Sequence, residues 1–351
     1  MTDLSGNRFK RDGTADLLKG LAVLFMIQVH LMEQFAAPDI YNSMIGKISM
    51  FMGGPVCAPV FLAVMGYFLA SSAKPFTYFL KRGGLLFLGG ILLNIARSAN
   101  LLLQIMRGEI DLNPWFFILG ADILTLAGLS LIATGFLRVI FKQSALLYFL
   151  TAVAVTVVSP FLHQPASSGM ISKYAIAFFG GTLEWSYFPV FPWIAYVLTG
   201  YAFHLFLKQT LWASKIDIQQ HFVYFIPLWI GVLVTLPYAA TITHNLDGPY
   251  GYYHHGILFF GWVLLFMISY LALVKLVEIS YGDQRMVRII KWIGRQVTSL
   301  YVIQWLIIGN LATWLYQSQD LFQLVAWFVG ITLATMMFGR LMEKTKRKWY
   351  F

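Results

Sequence analysis

Apolar residues fall in ten long runs along the chain, separated by short polar bursts. A bilayer core about 30 Å thick needs about 17–25 residues of helix. The runs at 15–35, 52–72, 83–99, 117–138, 144–162, 189–207, 220–241, 255–276, 296–316 and 321–342 meet that length and predict ten transmembrane helices. The expected fold class is all-α: a polytopic integral membrane protein, read as one transmembrane domain over residues 1–351. The loops between the runs are too short for a second soluble domain.

Composition agrees with the pattern. The chain is 59% hydrophobic and 11% charged, with a mean hydropathy of +0.70, whereas soluble domains carry about a quarter charged residues. A single cysteine, Cys57, excludes an intramolecular disulfide and any metal site built on several thiolates. No HExxH, EF-hand, Walker or GxGxxG motif is present, and no metal site is expected. The basic start runs into the first helix with no Ala-x-Ala cleavage signal, so that helix is expected to be a retained anchor.

The net charge of +10 changes meaning once its positions are sorted. All but four of the 25 Lys and Arg fall on one side of the expected spans, the exceptions being Lys47, Arg97, Arg107 and Lys173. Cytoplasmic loops collect Lys and Arg, which predicts both termini inside. The charge is a topology signal, and no nucleic-acid partner is needed to explain it.

The stretch Arg8 to Phe35, RFKRDGTADLLKGLAVLFMIQVHLMEQF, breaks its apolar run with Asp16, Lys19, Gln28, His30 and Glu33. Ionisable groups inside a span are costly and usually face a protein interior. Lys19 and His30 stand eleven positions apart, about three turns, so they share one face about 16 Å apart along the axis. A cation near one surface and an imidazole near the other suit a reaction that crosses the membrane. The second run, with Pro55, Pro59, Gly53, Gly54 and Gly66, predicts a helix kinked or broken near its outer end, as is tolerated where backbone lines a cavity. Close packing through small residues explains the glycines equally well. Asp122 is expected a few residues into the fourth span. Tyr41, Trp115, Glu184, Trp185 and the loop HNLDGPYGYYHHG at 244–256, with His254 and His255, gather on the outer face. An aromatic belt is the ordinary reading of any one ring. As a set they suit a sugar-like acceptor.

Six segments carry a family resemblance: Arg11-x4-Asp16-x2-Lys19-Gly20 with His30, CAPVFLAVMGYFLA (57–70), FLKRGGLLFLGGILLN (79–94), DILTLAGLSLI (122–132), FPVFPWIAYVLTGY (188–201) and IGRQVTSLYVIQW (293–305). In this order they resemble the bacterial relatives of heparan-α-glucosaminide N-acetyltransferase. That family of polytopic transmembrane acyltransferases is distant kin of the membrane acyltransferase-3 proteins. The resemblance implies acyl transfer from cytosolic acetyl-CoA to an acceptor outside the cytoplasm, in a bacterial inner membrane, by an enzyme that forms dimers. In acyltransferase-3 proteins a basic residue, ten positions and a His mark the first helix, and Lys19 with His30 reproduces that spacing. The sequence departs in three places. Lys19 replaces the commoner Arg and lacks its planar fork. The position matching His30 is Asn in the heparan enzymes, whose catalytic His falls where this chain has Tyr41. Gln304 stands where many relatives carry His.

On this footing His30 is expected as general base and Glu33, one turn on, as the group that orients it or stabilises imidazolium. Asp16, Lys19, Arg82 and Arg295 are the candidates for holding the CoA end. Tyr41, Glu184, Trp185, His254 and His255 are the candidates for holding the acceptor. Transfer within a ternary complex and a covalent acyl-histidine route both fit. A different class of function also stays open: a multi-pass transporter or flippase of an anionic or sugar-linked metabolite would likewise use broken helices and polar groups within the membrane.

Overall fold

The computed structural model describes residues 12–162, 169–181, 183–210, 222–246 and 251–348. Regular structure among them is helical, with one isolated parallel bridge between Ala36 and Gln319. The main helices are α1 (Gly13–Phe35), α2 (Met44–Gly53), α3 (Ala58–Ser71), α4 (Phe76–Arg97), α5 (Ile123–Phe141), α6 (Ala145–Val158) and α7 (Val190–Gln209). They are followed by α8 (Ile226–Val234), α9 (Leu236–His244), α10 (Ile257–Tyr281), α11 (Arg285–Arg295), α12 (Val297–Leu315) and α13 (Leu321–Lys348). Among the described residues eight stretches are long and apolar enough to cross a membrane, with α2 and α3 forming one of them. The α8–α9 pair makes a ninth, and α6 with its short 3-10 extension to Phe161 is apolar but shorter. The protein is an all-α, multi-pass membrane protein.

The second run breaks as its prolines predict: a turn at residues 54–57, where Pro55 supplies no N–H, separates α3 from α2, which ends at Gly53. Where the sequence reading missed, local chemistry explains why. The run 220–241 bends by 49° between α8 and α9. Pro237 starts the second arm there, and the Trp262 indole donates to Thr235 Oγ1 at 2.8 Å. Residues 220 and 221 of that run lie outside the described residues. Asp122 is not inside the fourth span but caps it: its carboxylate accepts from the Ile123 amide at 2.6 Å, and Thr125 closes a capping box. The stretch before Arg295, read as loop, holds the helix α11, with Val287, Ile293 and Gly294 buried and Arg285, Arg288 and Arg295 exposed. That one-sided burial is the amphipathic pattern of a helix lying against the bundle.

Two packing regimes follow from the membrane setting. Phe322, Val325, Val329 and Leu333 on α13 are exposed at three- and four-residue spacing, an apolar stripe suited to lipid. Helix α7, by contrast, is buried all round over residues 192–202, with Trp193, Tyr196 and Val197 fully enclosed, and only its last turns, with Phe203 and Phe206, are exposed. Lipid removes most of the hydrophobic drive between helices, so close backbone approach matters more. On α3 and α7 the device is reciprocal: a Cβ at Gly66 would overlap the Val197 carbonyl, and one at Gly200 the Ala63 carbonyl.

Candidate active site

The Asp12 carboxylate caps α1, accepting from the Thr14 and Ala15 amides at 3.0 and 3.1 Å. Toward its other end α1 carries His30 and Glu33, one turn apart, into a cavity of about 610 Å³. The cavity exists because the facing chain is not a continuous helix. Gly53, Gly54 and Cys57, at the α2–α3 turn, form part of its wall. The polar groups at that break find partners. Tyr252 donates its hydroxyl to the Gly54 carbonyl at 3.0 Å, and the Cys57 thiol faces the Ala22 carbonyl at 3.3 Å. Such a break is stable only where protein, not lipid, surrounds it.

Helix α12 supplies Tyr301 and Trp305 to the chamber wall, with the buried Gln304 between them in sequence, and their spacing puts all three on one face. The Gln304 amide sits against His30 Nδ1, with Nε2 at 3.2 Å and Oε1 at 3.3 Å. The Trp305 ring lies 4.0 Å from the His30 ring, centre to centre. The same indole carries the Arg97 guanidinium at 4.4 Å. Arg97 Nη1 pairs with Asp122 Oδ2 at 2.5 Å, with side-chain exposures of 12% and 7%. Tyr301 donates to the other Asp122 oxygen at 3.1 Å. Tyr253 stands beside the Glu33 carboxylate and lines the cavity with it. An imidazole with one nitrogen engaged, a carboxylate and a paired guanidinium thus meet in one aromatic-walled chamber. Such a set can take up a proton and balance a developing charge.

A second cavity of about 490 Å³ adjoins the first, sharing Glu33, Gln34, Tyr187, Leu246, Tyr253 and Tyr316 with it. Tyr41 and Glu184 line this outer chamber, and Tyr41 also stacks on His244. Other residues singled out from the sequence lie elsewhere. Trp185 is buried in a stack on Phe116, ring centres 4.0 Å apart. His254 and His255 are buried behind Tyr252 and Tyr253 and line neither chamber. His255 Nδ1 donates to the Tyr252 carbonyl at 2.7 Å, so the neutral ring accepts the Tyr196 hydroxyl at Nε2, 2.8 Å away. Burial pushes both histidines down to about 4. Asp16 and Lys19 pair at 2.9 Å, with the Lys19 ammonium over the Phe68 ring. Arg295 follows Gly294, which packs on the Asp16 carbonyl, while Arg82 is exposed on α4. None of Asp16, Lys19, Arg82 and Arg295 lines either chamber.

The family described as heparan-alpha-glucosaminide N-acetyltransferase, catalytic, matches residues 11–238, well over half of the chain. The chain belongs to this family of transmembrane acetyltransferases. No curated protein and no solved structure matches it. The family match takes in His30, Glu33, Arg97 and Asp122, while Tyr253, Tyr301, Gln304 and Trp305 lie beyond it. In this heparan-alpha-glucosaminide N-acetyltransferase family member the chamber is therefore closed by helices outside the matched stretch.

Sequence reasoning missed Arg97, Tyr253, Tyr301 and Trp305, and placed Asp122 without a partner. One signal was available. Arg97 is a cation stranded on the side of the membrane that carries few, and such a residue needs a carboxylate nearby.

Proposed function

We propose that the protein moves an acetyl group from cytosolic acetyl-CoA to a sugar or glycan hydroxyl or amine outside the cytoplasm, with His30 as general base. The observation that carries this reading is His30 in the wall of a chamber of about 610 Å³, its Nδ1 held by Gln304. We assign Gln304 the orientation in which Oε1 accepts from Nδ1–H, which leaves Nε2 free to take the acceptor's proton. Gln304, rather than Glu33, then fixes the ring, and Glu33 balances the imidazolium charge and meets the acceptor. The outer chamber, with Tyr41, Tyr187, Tyr253 and Glu184, offers ring faces and polar groups suited to a sugar. Met26, Val29 and Phe61 give the inner chamber an apolar side suited to a thin acyl-bearing arm.

The Lys and Arg distribution supports Lys19 at the cytoplasmic end, and the proposed membrane is a bacterial inner membrane. Lys19 and Arg295 would hold the donor's phosphates there, with Arg82 a more distant contributor. That end is closed in the present state, so α1 and α11 must separate for the donor's arm to reach His30. Acetyl-CoA turnover by purified protein, with a panel of amino sugars and envelope glycans, tests the reading. Acceptor-dependent release of free thiol supports it. The broken α2–α3 span and bent α8–α9 pair also suit a transporter. Uptake of a metabolite into vesicles with no thiol release under any acceptor would favour that function instead.

A further inference from the structure

We propose that Arg97 is a catalytic residue of this chamber, donating hydrogen bonds to the donor's carbonyl oxygen as that oxygen gains negative charge. Asp122 and Trp305 are the groups that position it. This inference rests on the acyl-transfer reading above and adds the electrophilic half of the site.

Among the described residues that line the inner chamber, Arg97 is the one Lys or Arg. Its placement is fixed from several directions. Asp122 takes Nη1 at 2.5 Å, and the Trp305 indole supports the guanidinium carbon at 4.4 Å. Asp122 is itself fixed by the Ile123 amide at 2.6 Å and the Tyr301 hydroxyl at 3.1 Å. A guanidinium has five N–H donors in a planar fork, and one carboxylate oxygen leaves several of them to face the chamber. The indole that supports Arg97 also lies against the His30 ring at 4.0 Å. One aromatic plate thus sets the spacing between a proton acceptor and a positive donor array. A buried ion pair contributes little net stability compared with apolar packing, so stability alone gives no reason for this pair to border an open chamber.

The step balances with these groups. The acceptor's oxygen or nitrogen forms a bond to the thioester carbonyl carbon while its proton passes to His30. The carbonyl π pair moves onto oxygen, where the Arg97 N–H donors stabilise it. That pair then re-forms the double bond as the carbon–sulfur bond breaks, and the departing thiolate takes the proton back from His30. Preorganised donors of this kind contribute about 10²–10³ in kcat.

The test is steady-state kinetics of detergent-purified variants, with acetyl-CoA as donor and the acceptor that works for wild type. Arg97→Lys keeps the charge and the Asp122 pair but loses the fork. It should lower kcat by about 10²-fold while the KM for acetyl-CoA stays within about threefold. Arg97→Gln combined with Asp122→Asn removes both charges without leaving one alone, and should lower kcat by about 10³-fold with thermal stability kept. In Arg97→Ala, added methylguanidinium should restore part of kcat and urea should not. A raised KM with kcat intact would make Arg97 a phosphate binder and overturn the inference. So would an activity loss that tracks lost thermal stability in every variant with no rescue. Full activity in these variants beside an inactive His30→Ala would sink the Arg97 role and leave acyl transfer standing. No thiol release by wild type with any acceptor would sink acyl transfer itself.

Discussion

The two ends of α1 are built from the same helix and differ in what faces them. At the Asp16 end, backbone meets backbone. A Cβ at Gly20 would overlap the Ile290 carbonyl, one at Gly294 would overlap the Asp16 carbonyl, and Leu17, Leu18, Val60 and Val287 fill the remaining space. At the Glu33 end, the neighbouring chain breaks at residues 54–57 and aromatic residues line two adjoining chambers. Polar groups at the first end satisfy each other, as Asp16 does Lys19. At the second end they line space that a substrate can fill. Glycine contacts close one end of this membrane protein and a proline-marked break opens the other, and the proposed chemistry lies at the open end.

The largest effect expected from attacking this contrast is at the closed end. Gly294→Leu puts a side chain between two backbones that cannot yield, and should cost about 3 kcal/mol or more, seen as loss of monodisperse protein in detergent. Gly330, with open space around it, is the control. Gly330→Leu should stay within about 0.5 kcal/mol of wild type. If both variants behave alike, the close α1–α11 approach is not what holds that end.

Next comes the electrostatic support of the open end. Asp122→Asn strands the Arg97 charge in a largely buried site and should cost about 3 kcal/mol in thermal stability. Adding Arg97→Gln should recover most of that loss. No recovery would mean that the Asp122 cap on α5, and not the charge pair, holds the region.

A smaller effect is expected at Lys19. Lys19→Gln should raise the KM for acetyl-CoA by roughly threefold to tenfold, the range of a lost phosphate contact of about 1 kcal/mol, and leave kcat alone. Melting should fall as well, since Asp16 is buried and loses the cation paired with it, the two side chains being 6% and 18% exposed. A fall in kcat with unchanged KM would take Lys19 out of donor binding.

The smallest effect concerns pH. His254 and His255 titrate near 4 in the folded protein and near 6.5 when unfolded. A lowered folded pKa means the neutral form is favoured, so this contribution is whole above about pH 6.5 and is lost as pH falls from there toward 4. Thermal melts in detergent between pH 8 and pH 4.5 should show that decline. His255→Gln, starting from a lower melting point, should flatten it. An unchanged slope in the variant would mean that other groups govern the acid limb.

The fold was legible because apolar runs of span length leave few alternatives, and each of the ten expected spans has a helical counterpart. The breaks were readable where proline marks them. Pro55 in the second run gave its break, while the bend at Pro237 was missed because the apolar run continues through it. Half of the proposed site stood out in the sequence too, since His30 and Glu33 interrupt an apolar helix. The other half was not. Arg97 with Asp122, and His30 with Gln304 and Trp305, are contacts between distant stretches of chain. No local pattern marks such pairs. His254 and His255 misled for a related reason: polar residues in an aromatic loop read as exposed, yet Tyr252, His254 and His255 are buried and Tyr196 and Tyr252 occupy the His255 ring.

The central claim is that acetyl leaves its donor at the His30 end of α1. The most direct measurement is release of free thiol from acetyl-CoA in detergent, with a working acceptor, by wild type and by His30→Ala. Loss of a general base should cut the rate by about 10²–10⁴-fold with melting and acetyl-CoA binding preserved. Equal rates in the two proteins would contradict the claim and move the proton acceptor to another residue of the chamber.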